Sequence, residues 1–271
     1  MSARDLCAVV LAAGEGQRLR PLTALLPKAL CPVGNVALLD RALARVGALG
    51  LDTAVNACYL ADQVVTHVGG RLTVSVEPDD PWGTSGGIAR LKHWIDGRGV
   101  LVGNADAYLA DPERPPGKDI AALLDGWDGD SVRILGVPGG NEFSGHRFAG
   151  FSLLPWSIVR DLPIERNELV RTAWRPAERD GRLTVVRYEG TYVDTGTPRD
   201  YLAANLHAAD GGSLVDPGAT VAAPVTRAVI GAGAVVEGEV RDAVVWPGAR
   251  VREGEALERA IRAGETLTVP A

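Results

Sequence analysis

Between Val9 and Lys28 the chain reads VVLAAGEGQRLRPLTALLPK, a set of residue types suited to holding phosphate. Gly14 and Gly16 lack the Cβ atoms that would keep a phosphate off the backbone, so successive N–H groups can turn inward as an anion nest. Arg18, Arg20 and Lys28 follow with almost no opposing charge. A guanidinium at Arg18 can grip two phosphate oxygens at once, and Lys28 adds a compact point charge. Two other phosphate-binding patterns fail on the letters. No Gly-Lys pair occurs before Lys118, which excludes a Walker loop here, and Leu19 stands where a dinucleotide fingerprint needs a third small residue.

Two later stretches add to this inventory. Glu77-Pro-Asp-Asp-Pro-Trp-Gly83-Thr84-Ser85-Gly86-Gly87 leads into the amphipathic segment Ile88–Trp94, so its free N–H groups could meet a ligand. Equally, Thr84 or Ser85 could act as an N-cap for that helix. The apolar run beginning at Val100 ends in Asn104-Ala105-Asp106. A carboxylate at a strand end suits a hard ion such as Mg²⁺, which takes one or two carboxylates together with waters and substrate phosphates. A turn-capping aspartate is the alternative for Asp106 taken alone.

Leu11-Ala12-Ala13-Gly14-Glu15-Gly16-Gln17-Arg18-Leu19-Arg20-Pro21-Leu22-Thr23, followed by Pro27-Lys28-Ala29, resembles the signature of the sugar-1-phosphate nucleotidyltransferases, L-A-G/A-G-x-G-x-R-L-x-P-L-T and then P-K-P. The resemblance extends over residues 6 to 209 with gaps. Glu77 to Gly87 is similar to the family's E-x(n)-L-G-T-A-G-A segment, Asn104-Ala105-Asp106 to N-G-D, Phe148-Ala149-Gly150-Phe151 to F-x-G-I/F, and Tyr192-Val193-Asp194-Thr195-Gly196-Thr197-Pro198 to W-x-D-x-G-T-P. Three departures stand out. Ala105 replaces a glycine, and alanine would be strained if that position needs positive φ. Tyr192 replaces the usual tryptophan, and the E-K-P element that holds the sugar phosphate has no counterpart here.

The resemblance implies an enzyme that joins a sugar 1-phosphate to a nucleoside triphosphate, releasing pyrophosphate and giving a nucleotide sugar of the GDP-mannose or UDP-sugar kind. It assigns catalytic roles to Arg18 and Lys28. Nucleotide contacts fall to Leu11, Ala12, Ala13, Gly14, Glu15, Gly16, Gln17, Arg18, Glu77, Gly83 and Thr84, sugar contacts to Asn104 and Gly150, and Mg²⁺ ligation to Asp106 and Asp194. Two other readings fit parts of the pattern: a non-catalytic subunit that binds a nucleotide sugar and regulates a partner, and a cytidylyltransferase whose acceptor is a phosphorylated alcohol such as phosphocholine.

The elements that must position these residues alternate in type. Strands are predicted over 6 to 12, 53 to 57, 72 to 76, 100 to 106, 131 to 137 and 183 to 188, with helices over 38 to 49, 61 to 68, 88 to 94, 169 to 178 and 201 to 208. Residues 139 to 146 read as irregular. This order predicts an α/β, Rossmann-like fold, its mostly parallel sheet covered by helices on both faces and its ligands at the carboxyl ends of the strands. After residue 210 aromatics thin out and a repeat of about fifteen residues emerges from Val215, Ile230 and Val245, with a partial copy from Ile261. The repeat resembles the hexapeptide repeats of left-handed parallel β-helices. The expected division is therefore a catalytic domain over 1 to 210 and a β-helix tail over 211 to 271, the tail docking on its own catalytic domain or forming a homo-oligomer. It has no histidine suited to acyl transfer.

Composition narrows the remaining classes. A 271-residue chain with 46% hydrophobic residues can bury a sizeable core, and a formal charge of −6 argues against a nucleic-acid partner. The absence of a long apolar run and of a leader-like pattern in MSARDL points to a cytoplasmic protein without membrane association. Cys7, Cys31 and Cys58 have no paired spacing and are expected as buried thiols. His67, His93, His146 and His207 are scattered, with His146 alone in a loop worth watching.

Overall fold

The structure is a computed structural model that describes residues 5–271. Met1–Arg4, part of the MSARDL stretch considered above, lie outside the described residues. In chain order the elements are β1 (Leu6–Leu11), a short hairpin of β2 (Pro32–Val33) and β3 (Val36–Ala37), α1 (Leu38–Ala48), β4 (Asp52–Ala57), α2 (Ala61–Val68), β5 (Thr73–Val76), α3 (Gly83–Arg90) and α4 (Lys92–Ile95). There follow β6 (Gly99–Asn104), β7 (Ala107–Ala110), β8 (Val132–Phe143), β9 (His146–Leu154), α5 (Trp156–Val159), α6 (Arg175–Arg179), β10 (Leu183–Arg187), β11 (Thr191–Asp194) and α7 (Pro198–Ala208). The chain forms two compact units, one of the residues up to Glu15 with Leu39–Tyr192, the other of Gly16–Leu38 with Val193–Ala271.

In the first unit a seven-stranded sheet runs in the order β10-β8-β9-β6-β1-β4-β5. Its pairings are parallel except those of β9 with β6 and with β8. The central strand, LCAVVL, is buried at five of its six positions, as a parallel strand covered on both faces must be. Cys7 and Val9 join a core with Ile88, Leu91, Ile95, Val100, Val102 and Trp174, while the alternate residues Ala8 and Val10 are equally buried on the other face. Chain connectivity reverses at β1: β4 and β5 extend the sheet on one side, β6 on the other. That crevice, where the residues after Leu11 emerge, is where an open α/β sheet binds ligands.

The segment 139 to 146, predicted irregular, belongs to a hairpin instead. β8 runs to Phe143 and β9 starts at His146, with Ser144 (φ +50°) and Gly145 (φ +82°) forming the two-residue turn between them. Both turn residues have positive φ, as a primed hairpin turn demands, and the register shifts between Pro138 and Phe143 absorb Gly139 and Gly140 as a bulge. The helix predicted over 169 to 178 begins as a π turn at Val170–Trp174 before continuing into α6.

In the second unit the tail coils through three parallel sheets. Leu214 pairs with Val229, Val229 with Val244 and Val244 with Ile261; Thr220 pairs with Val235 and Val235 with Arg250; Val225 pairs with Val240 and Val240 with Leu257. A coil of this kind stacks successive turns, and Ile230, Ala234, Val236, Val240, Ala243, Val245, Ala249 and Val251 fill its interior. Leu267–Pro270 pairs antiparallel with Ala260–Ala263 and covers that end of the first sheet. The coil packs on α7 and on the β2–β3 hairpin. Trp246 Nε1 donates to the Tyr201 hydroxyl at 3.0 Å, that hydroxyl donates to the Pro32 carbonyl, and Asn35 Nδ2 donates to the Ile230 carbonyl at 2.9 Å. Among the described residues no helix is long and apolar enough to cross a membrane.

Candidate functional site

Leu11 lies opposite Asn56 of β4 on one side and Asn104 of β6 on the other, so three strand ends are in register where the glycine-rich loop begins. The loop is anchored at its root. The Ala12 N–H donates to Asn56 Oδ1 at 2.8 Å, and the Ala105 N–H donates to the Leu11 carbonyl at 3.0 Å. Asn56 Nδ2 in turn donates to Glu77 Oε1 at 2.7 Å, and the Trp82 N–H donates to Glu77 Oε2 at 2.7 Å. Glu77 is only 3% exposed, and both its oxygens accept from the protein. It thus joins the loop root, β4 and the entry to α3 through one buried network. Asn56, a polar residue near the end of an apolar strand, is the part of this network that the motifs did not point to.

Gly83 and Thr84 sit at the start of α3, where the protein itself supplies an anion. The Thr84 hydroxyl donates to Glu168 Oε2 at 2.6 Å, the Thr84 N–H donates to the same oxygen at 3.1 Å, and the Leu169 N–H donates back to the Thr84 hydroxyl at 2.8 Å. A carboxylate near a helix N-terminus complements the partial positive charge of the free N–H groups. Gly83 has φ +71°, and an added Cβ would stand 2.5 Å from the Asn167 carbonyl; one at Gly86 would collide with the Glu165 carbonyl. Gly83 and Gly86 admit the backbone at Asn167 and Glu165, and Gly87 admits the side chains of Asn56 and Glu77.

Asp106 occupies the turn between β6 and β7 and is half-buried. Ala105 beside it is fully buried, and its φ is not positive, so the alanine is accommodated without the left-handed strain that a glycine would relieve. Asn104 ends β6. Gly150 on β9 has φ +82°, and a Cβ there would run into the Cβ of Ala107, the residue after Asp106. Tyr192, in place of a tryptophan, carries the Arg147 guanidinium over its ring at 5.1 Å.

In the second unit Arg18, Lys28 and Asp194 form one charged cluster. Arg18 Nη2 lies 3.3 Å from Asp194 Oδ2, and Lys28 Nζ lies 3.6 Å from Asp194 Oδ1. Their exposures differ: the Arg18 side chain is 68% exposed, that of Asp194 44%, and that of Lys28 9%. Gly16 holds the group together at close quarters. It has φ +62°, its carbonyl accepts from the Thr23 hydroxyl at 3.0 Å, and a Cβ there would stand 2.9 Å from both Lys28 Cβ and Thr23 Cγ2. Gly196 lies against the Arg18 guanidinium and leaves no space for a Cβ. Gly14 contrasts with all of these. Its φ is not positive, and among the described residues no heavy atom other than those of its chain neighbours lies within 4 Å of where its Cβ would be. Glu15 and Gln17 complete the loop as half-buried and exposed residues respectively.

The remaining chemistry-bearing residues are placed elsewhere. All three cysteines are free; Cys7 and Cys31 are buried, and burial pushes each thiol up to about 12, whereas Cys58 is half-buried rather than buried as expected. His146 flanks the β8–β9 turn, with Nδ1 3.1 Å from the Ser144 carbonyl oxygen. Among the described residues no group of three or more His, Cys, Asp or Glu side chains gathers as a metal cage.

A glycine-containing loop held at its root by two hydrogen bonds, at the reversal point of a mostly parallel sheet, places the chain among open α/β proteins. The profile of the MobA-like NTP transferase domain matches residues 8–135. The chain is 31% identical to N-acetylmuramate alpha-1-phosphate uridylyltransferase of Caulobacter vibrioides, over 78% of this chain and the whole of that protein. It is 28% identical to mannose-1-phosphate guanylyltransferase of Mycobacterium tuberculosis, over 96% of this chain and 85% of that one. Among solved structures, HddC from Yersinia pseudotuberculosis shares the fold with a TM-score of 0.58 and 21% identity, covering 73% of this chain and 97% of that one. The chain belongs to the sugar-1-phosphate nucleotidyltransferase family.

Proposed function

We propose that the protein joins a sugar 1-phosphate to a nucleoside triphosphate, forming a nucleotide sugar and releasing pyrophosphate. UTP and GTP are the first triphosphates to consider, since the relatives are named as uridylyl- and guanylyltransferases. The observation that carries this reading is the charged cluster of the second unit, in which the two cations Arg18 and Lys28 converge on Asp194, a few residues along the chain from Gly14, whose side-chain position is open. Among the described residues no packing contact calls for glycine at position 14, which leaves the backbone there open to an approaching phosphate.

In the proposed mechanism a phosphate oxygen of the sugar phosphate attacks the α-phosphorus in line, and pyrophosphate leaves. Little covalent chemistry falls to the protein, which positions the reactants and stabilises charge. The backbone from Leu11 to Gln17 and the Arg18 guanidinium would hold the triphosphate and stabilise the leaving pyrophosphate. Lys28, nearly buried, would deliver its charge from a low-dielectric position where it acts more strongly than in water. Arg18 and Lys28 would exchange Asp194 for phosphate oxygens as the triphosphate arrives, which leaves the carboxylate available for Mg²⁺. Asp106, in the turn after β6, and Asp194, at the end of β11, suit that ion because both offer hard oxygen donors, and Mg²⁺ takes one or two carboxylates. When bound it would neutralise charge on the α-phosphate.

Glu77, Gly83 and Thr84 enter this reading as residues that shape the nucleotide pocket, their polar atoms being engaged by Asn56, Trp82 and Glu168. Asn104 and Gly150 are assigned to the sugar. The tail is read as a left-handed hexapeptide coil beyond a catalytic domain ending near residue 210, in a cytoplasmic enzyme that uses the tail for docking or self-association. A thermal-shift screen with single triphosphates and Mg²⁺ tests the first step. A ligand bound by the native state alone raises apparent stability, so UTP or GTP should raise Tm, and no shift with any triphosphate would overturn the assignment.

A further inference from the structure

On the flank of the second unit, α7 and one corner of the coiled tail border a half-open cavity of about 280 Å³. Its wall includes Leu202 and Leu206 of α7, and around it stand Arg199, Arg227, Asp242 and Arg259. Arg227, Asp242 and Arg259 occupy the same corner of successive turns: each directly follows a strand, and those strands are stacked in register through Thr226, Arg241 and Glu258. All three adopt left-handed backbone conformations, with φ of +49°, +46° and +47°. Bulky side chains rarely take that conformation, which glycine adopts freely. Other left-handed positions of the coil, Gly233, Gly248 and Gly264, do use glycine.

The charges do not balance. Arg227 Nε lies 2.7 Å from Asp242 Oδ1 and is matched by it. The Arg199 and Arg259 guanidinium groups take part in no hydrogen bond or ion pair among the described residues. Three arginines therefore stand against two carboxylates, that of Asp242 and the terminal one of Ala271, on a chain whose formal net charge is −6. Guanidinium groups present planar forks matched to phosphate oxygens, and an apolar wall beside them fits a short carbon skeleton. The volume is at the small end for a ligand site, too small for a nucleotide sugar and adequate for a small phosphorylated compound.

We propose that this cavity is an anion site for a small phosphate-bearing metabolite, with Arg199 and Arg259 as its principal ligands and Leu202 and Leu206 as its apolar wall. The site is separate from the Arg18 cluster and does not depend on the nucleotidyl-transfer reading. The experiment is calorimetric titration of the full chain with glycerol 3-phosphate and, separately, inorganic phosphate. Binding should survive in Arg18→Ala, which removes the competing phosphate grip of the loop, and should weaken at least ten-fold in the Arg199→Ala/Arg259→Ala double variant. That double variant should keep basal pyrophosphate release, because both side chains are exposed and neither belongs to the loop. A second double variant, Arg199→Lys/Arg259→Lys, keeps the charge with less risk to folding and should bind more tightly than the alanine pair. Equal binding by wild type and the alanine pair, or no binding of either probe to wild type or to Arg18→Ala, would overturn the proposal.

Discussion

The motif residues of the first unit and those of the second meet different fates. In the first, the polar atoms of Glu77 and Thr84 are satisfied by neighbouring protein groups, and Gly83 and Gly150 are small because backbone or side chains press on them. In the second, Arg18, Lys28 and Asp194 gather as a partly exposed cluster of opposite charges, just after a glycine whose side-chain position is open. One set of letters is held by the protein's own packing, and the other forms ion pairs partly open to solvent. The distinction matters for mutation: changes at Glu77, Gly83, Thr84 and Gly150 should register as lost stability, changes at Arg18, Lys28 and Asp194 as lost turnover.

The largest effect is expected at the cluster. Lys28→Ala should lower pyrophosphate release about 10²- to 10³-fold while the melting curve stays close to wild type, since removal of one preorganised charge-stabilising group costs on this order. Gly14 and Gly16 separate packing from ligand space within a single loop. Gly16→Ala should destabilise by about 2–4 kcal/mol in denaturant titration, from left-handed strain and overpacking against Lys28 and Thr23. Gly14→Ala should leave stability within about 0.5 kcal/mol and raise KM for the triphosphate. Asn56→Ala should cost about 2–3 kcal/mol, because it strips a donor from the buried Glu77 carboxylate. The smallest change is expected at Ala105→Gly: no positive φ calls for glycine there, so turnover should stay within about two-fold and stability should fall by no more than about 1 kcal/mol.

Much of the fold is legible in the letters because burial on both faces writes itself as unbroken apolar runs. Leu6–Leu11 and Gly99–Asn104 are of this kind, and the regular spacing in Leu38–Ala48 marks one buried helical face. The hairpin at Ser144-Gly145 was readable too, from a Ser-Gly pair between two strands, but Gly139 and Gly140 in the bulge obscure the alternation that would reveal it. Within the site, the basic and acidic residues are legible because charges at fixed offsets have few structural uses. Glu168 and Asn56 are not, since each acts through partners 84 and 21 positions away in sequence, Thr84 and Glu77, and only the fold brings these together. The replacement of glycine by Ala105 looked like strain on the letters; the backbone dihedral decides otherwise.

The central claim is that the Gly14–Arg18 loop, Lys28, Asp106 and Asp194 serve nucleotidyl transfer. Its most direct test is Mg²⁺-dependent pyrophosphate release from UTP or GTP with a panel of sugar 1-phosphates, comparing wild type with Arg18→Ala and Asp106→Ala. Release by the wild type with at least one pair of substrates, falling about 100-fold or more in both folded variants, is the expected result. Turnover near the wild-type level in either variant would contradict the mechanism.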